Sequence, residues 1–70
     1  MATVNAHITG TVWKIEVKVG ERIEEGTVVS ILESMKMEMP VESEIAGTVT
    51  KILVVEAQAV SEGQPLVEVE

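Results

Sequence analysis

Seventy residues with thirteen Val, one His, one aromatic side chain and neither Cys nor Asp exclude disulfide staples, thiolate metal sites, two-histidine metal cages and Ser-His-Asp or cysteine-nucleophile catalysis; the chain does not read as an enzyme acting alone. Five basic residues against twelve Glu give a net charge of -7, which repels phosphate backbones and excludes nucleic acid as a partner. The longest stretch free of Lys, Arg and Glu, Met1 to Trp13, is too short for the roughly 20 apolar residues of a spanning helix, and no secretory leader opens the chain, so no membrane contact and a cytoplasmic location are expected.

In chain order, the first apolar run, Val12, Ile15, Val17 and Val19, has the period of a strand. Glu21, Glu24 and Glu25 around Arg22 then read as a solvated turn without metal chemistry. Val28 to Glu33 and Met39 to Glu44 are strand-like, and Pro40, which has no N–H for a ladder, assigns the second to an edge or a bulge. Val49 to Val55 and Leu66 to Val69 complete the strands, with Pro65 at the start of the last. Gly10, Gly20, Gly26, Gly47 and Gly63 separate these runs and are expected at turns with positive φ. No window has helical spacing with a cap, so the fold is expected to be all β.

Compared with itself at an offset of 37 residues, Ala2 to Glu33 overlays Met39 to Glu70 without a gap. Eleven of the 32 pairs are identical, against about three expected by chance from this composition. Gly10/Gly47, Thr11/Thr48, Val12/Val49, Lys14/Lys51 and Gly26/Gly63 are among them. This predicts a single domain over residues 1–70, made of two β units, 2–33 and 39–70, related by an approximate twofold axis and covering each other's apolar faces. The units are joined by an expected hairpin at 34–38, Ser34-Met35-Lys36-Met37-Glu38, which repeats nowhere and lacks the Asn-Gly or Asp-Gly of a tight turn. Something other than folding selects its residues.

The run Glu33-Ser34-Met35-Lys36-Met37-Glu38 resembles the Glu-Ala-Met-Lys-Met acceptor motif of the biotinyl domains of biotin-dependent carboxylases, the biotin carboxyl carrier family. Some short free-standing biotin/lipoyl attachment proteins have the same Glu-Ser-Met-Lys-Met-Glu run. The likeness extends through Gly10-Thr11-Val12, Gly20 and Gly26 before the motif and Ala46-Gly47-Thr48-Val49 and Gly63 after it. It implies a flattened barrel-sandwich of two four-stranded antiparallel sheets, with the lysine on an exposed hairpin and both termini at the far end.

For function the resemblance implies a non-catalytic carrier. Lys36 would take covalent biotin from a biotin protein ligase. The cofactor would be loaded with a carboxyl group at a biotin carboxylase and unloaded at the carboxyltransferase of an acyl-CoA carboxylase. Met35 and Met37 match positions that mark the lysine for its partners. Glu33 matches a ligase-selecting position, and Ser34 stands within the same recognition segment where Ala is commonest. Lys14 and Lys51, equivalent in the repeat, read as surface residues, and Met39 as strand packing. Trp13, opposite Thr50 in the repeat, is expected to be partly exposed.

Two departures accompany the likeness. Ala57 replaces the counterpart of Gly20, which predicts a remodelled turn, and no insertion could form the protruding thumb of some bacterial carrier subunits, so a minimal carrier is expected, free-standing or part of a longer chain. Two other readings stay open here: a lipoyl carrier, including dual modification, although lipoyl domains usually present Asp-Lys-Ala; and an unmodified lipoyl-like interaction module.

Overall fold

The computed structural model describes residues 2–70. Its strands are β1 (Ala2–Asn5), β2 (Gly10–Ile15), β3 (Arg22–Ile23), β4 (Val28–Ser34), β5 (Met37–Glu42), β6 (Gly47–Ile52), β7 (Ala59–Val60) and β8 (Pro65–Val69). They form two four-stranded antiparallel sheets, ordered β1-β8-β6-β3 and β5-β4-β2-β7. Strands four apart in chain order hold the same place in opposite sheets. Small branched side chains suit the space between two such layers. Val12, Val29, Leu32, Val49, Leu66, Val67 and Val69 fill it, and Ile8, Ile15, Ile45 and Ile52 pack around them.

β5 lies at the edge of its sheet with Pro40 within it, and Pro65 opens β8, so both prolines stand where their missing N–H is tolerated. Matching bulges interrupt the ladders between Val12 and Lys14 and between Val49 and Lys51. Trp13 and Thr50 are the extra residues there. The bulge carries Trp13 outward, 43% exposed, with Lys14 Nζ 5.5 Å from its ring centroid. The Thr50 hydroxyl instead donates to the Glu68 carbonyl at 3.3 Å, which explains why the two positions accept such different side chains. The buried Ser30 hydroxyl donates to the Lys14 carbonyl at 2.8 Å beside the bulge. Among the described residues no buried side-chain polar atom lacks a partner.

Several sequence expectations need correction. The run ending at Val19 is strand only to Ile15, and that ending at Val55 only to Ile52. Beyond those points Val17 and Val54 plug the core from loops, while Val19 and Val55 stand in solvent, so the in-and-out alternation outlasts the ladder as far as Val17 and fails at Val19. The charged turn around Arg22 contains a short strand: Arg22 pairs with Thr48 and Ile23 with Gly47, because Ile23 is drawn into the core. Gly10 does not adopt positive φ; it opens β2 where another backbone comes close. Ala57 keeps the left-handed backbone of its counterpart, φ 75° beside 93° at Gly20, so that turn is not remodelled.

Two stability predictions follow from these turns. Gly26 and Gly63, at φ 91° and 87°, face open space, so Gly26→Val or Gly63→Val acts through backbone strain. A loss of at least about 1 kcal/mol is expected in urea denaturation. Conversely, Ala57→Gly releases left-handed strain at an exposed turn and is expected to raise stability by up to about 1 kcal/mol.

Candidate functional site

β4 and β5 form a hairpin paired from Val28↔Glu42 to Ser34↔Met37, which leaves only Met35 and Lys36 as its loop. This tip is tighter than the segment 34–38 expected from sequence, because Ser34, Met37 and Glu38 are in the ladder. Both loop residues are left-handed, φ 53° at Met35 and 64° at Lys36, the combination that matches a two-residue connection to the twist of its strands. Asn-Gly would adopt it with little strain. Met and Lys each sacrifice roughly 1 kcal/mol to do so.

The base of this crest is firm. Leu32 is buried in β4 and Val41 in β5, and Met39, paired with Leu32, is half-buried, so the hairpin root belongs to the core. Lys36 is exposed, and its ammonium is free of carboxylates: among the described residues the sole ion pair is Arg22 Nε to Glu24 Oε1, 3.6 Å. Met35 and Met37 flank it with 92% and 62% of their surfaces in water. Ser34 is half-buried below the turn and Glu33 is exposed. The five residues from Glu33 to Met37 thus occupy one protruding end, and Lys36 stands on it unencumbered, as acylation of its amine by a large partner requires.

Two contributors escaped the sequence reading. Gly10 supports the crest from β2: a Cβ there would lie 2.5 Å from the Glu33 carbonyl oxygen. Its identity with Gly47 in the repeat was the available signal. Glu38 is the other, a direct cross-strand partner of Glu33 that places two carboxylates together beneath Lys36. Like charges so placed oppose folding. Glu38→Lys is expected to raise Tm modestly, by an amount that shrinks as salt is added.

Among the described residues no cluster of His, Cys, Asp or Glu could hold a metal ion, and no helix is long and apolar enough to cross a membrane.

The sequence model of a family described as "Biotin-requiring enzyme" matches residues 1–69. The chain is 44% identical over 66 residues to the "Biotin/lipoyl attachment protein" of Bacillus subtilis, covering 94% of this chain and 90% of that protein. It is 39% identical to the "Biotin carboxyl carrier protein" of Streptococcus mutans, over 96% of this chain and 52% of that one. Among solved structures, Kluyveromyces lactis urea carboxylase superposes with a TM-score of 0.91 at 33% identity, over 99% of this chain and 6% of that one. A single-chain, multi-domain long-chain acyl-CoA carboxylase superposes with a TM-score of 0.86 at 29% identity, over 94% of this chain and 7% of that one. The chain thus spans nearly all of one relative, about half of another, and under a tenth of the carboxylases. On the breadth of the family match and of the Bacillus alignment, this chain belongs to the biotin- and lipoyl-attachment family.

Proposed function

We propose that the chain is a single-domain biotin carboxyl carrier whose cofactor is attached to Lys36 by a biotin protein ligase, and which works in the cytoplasm between a biotin carboxylase and a carboxyltransferase. The observation that carries this reading is a two-residue crest on which Lys36 stands exposed and unpaired between two exposed methionines.

Acylation forms an amide between Lys36 Nζ and the carboxyl carbon of an activated biotin, with loss of the activating group and of two protons, one as the amide forms and, before it, one from the ammonium. Lysine reacts as the free amine, so the ligase must take that proton. Once bound, biotin supplies a ring nitrogen that accepts and releases a carboxyl group. The chain's own residues present it. The left-handed pair Met35 and Lys36 holds the attachment point clear of both sheets, and the core-rooted strands β4 and β5 keep that point fixed. Tethering raises the local concentration of the reactive arm at each partner site. Met35 and Met37 offer apolar contacts to the ligase and carboxylase, while Ser34 and Glu33 form the edge of the same surface. An acyl-CoA is the proposed carboxyl acceptor. The acyl-CoA carboxylase neighbour supports it, and the urea carboxylase neighbour makes a second acceptor class worth assaying.

Incubation with a biotin ligase, biotin and ATP, beside a lipoate ligase with lipoate and ATP, tests the reading by intact mass. One biotinyl group is expected. A lipoyl gain without a biotinyl gain would replace biotin with lipoate, and no gain with either active ligase would favour an unmodified interaction module.

A further inference from the structure

Met35 and Met37 place two thioethers in water on either side of Lys36, where folding has little use for them: they are 92% and 62% exposed, and Met35 holds a left-handed backbone. The next methionine on the strand, Met39, is half-buried opposite Leu32. The chain contains no Cys, so no thiol of its own competes for an oxidant. From this arrangement we propose that Met35 and Met37 form an oxidative modification site, through which hydrogen peroxide suppresses acylation of Lys36. The inference rests on reading Lys36 as the acceptor.

In the step itself, a sulfur lone pair attacks one peroxide oxygen. The S–O bond forms, the O–O bond breaks and water leaves after proton transfer. Each sulfur is oxidised by two electrons and each peroxide is reduced by two. The product is a sulfoxide, polar and a strong hydrogen-bond acceptor. On the free carrier it stays hydrated and leaves the core untouched. A partner surface shaped for two thioethers must strip that hydration before it can close around Lys36, so the penalty falls on recognition. Methionine sulfoxide reductases reverse the change, one enzyme for each sulfoxide epimer.

The test treats the unacylated chain with hydrogen peroxide, locates the added oxygens by peptide mass, and measures the initial rate of biotin transfer by a biotin ligase with ATP. Circular dichroism monitors the fold. Met35 and Met37 are expected to gain oxygen before Met39, the rate is expected to fall at least about fivefold, and the two reductases together are expected to restore it. A smaller fall, or oxidation of Met39 first, overturns the inference. In the double variant Met35→Leu/Met37→Leu, peroxide is expected to leave the variant's own rate unchanged; a fall there would place the lesion elsewhere and equally overturn it. An untreated chain that takes no biotin overturns the Lys36 reading and this inference with it. An oxidised chain acylated as fast as the untreated one overturns the inference alone.

Discussion

Gly47→Ala is expected to destabilise the fold by at least about 2 kcal/mol, more than a left-handed turn glycine replaced by alanine. A Cβ at Gly47 would meet Val69 Cγ1 at 2.6 Å and the Glu70 carbonyl oxygen at 2.7 Å. Neither neighbour can retreat cheaply. Val69 is buried, and Thr48 and Glu70 exchange two backbone hydrogen bonds of 2.9 Å that hold the strands at this separation. Gly10→Ala repeats the conflict at the other sheet, against the Glu33 carbonyl oxygen, and should also disturb the base of the Lys36 crest. By contrast, no atom lies within 4 Å of a Cβ built at Gly26 or Gly63, so alanine there meets backbone strain alone, about 1 kcal/mol. Urea unfolding followed by fluorescence of Trp13, the single tryptophan, checks the order. Turn variants more damaging than Gly47→Ala would show that close approach between strand backbones does not limit this fold.

The architecture was largely legible because valines with a period of two need little context to become strands, and because the 37-residue offset exposed the unrepeated segment around Lys36. Periodicity could not show where ladders stop. Val17 and Val54 continue the pattern of a strand although they enter the core from loops, and Ile23 joins a two-residue strand inside a segment that reads as charged turn. Gly10 illustrates a different limit. A glycine selected for close approach looks the same in sequence as one selected for positive φ, and the distinction lies in what stands opposite, here Glu33 on the neighbouring strand β4, far away in sequence. The two-residue tip is narrower than the unrepeated segment 34–38. Met35 and Lys36 accept left-handed backbones that turn statistics would not assign to them, and so leave Ser34 and Met37 free to pair.

The same feature makes Lys36→Arg the sharpest functional prediction. Arginine has the same backbone requirement and a similar exposed stem, so stability is expected to stay within about 0.5 kcal/mol of the parent. Its guanidinium stays protonated and offers no free amine to an activated carboxyl group, so acylation at this position is expected to be lost entirely. Lys14, Lys18 and Lys51 are also exposed, but they lie in β2, a loop and β6 rather than on the two-residue crest, and they supply an internal control. The direct measurement is the intact mass of the parent chain and of Lys36→Arg after equal exposure to an active biotin ligase, biotin and ATP. One biotinyl group on the parent and none on the variant is the predicted result. A biotinyl group that persists on Lys36→Arg, or a parent chain that gains none, would contradict the assignment.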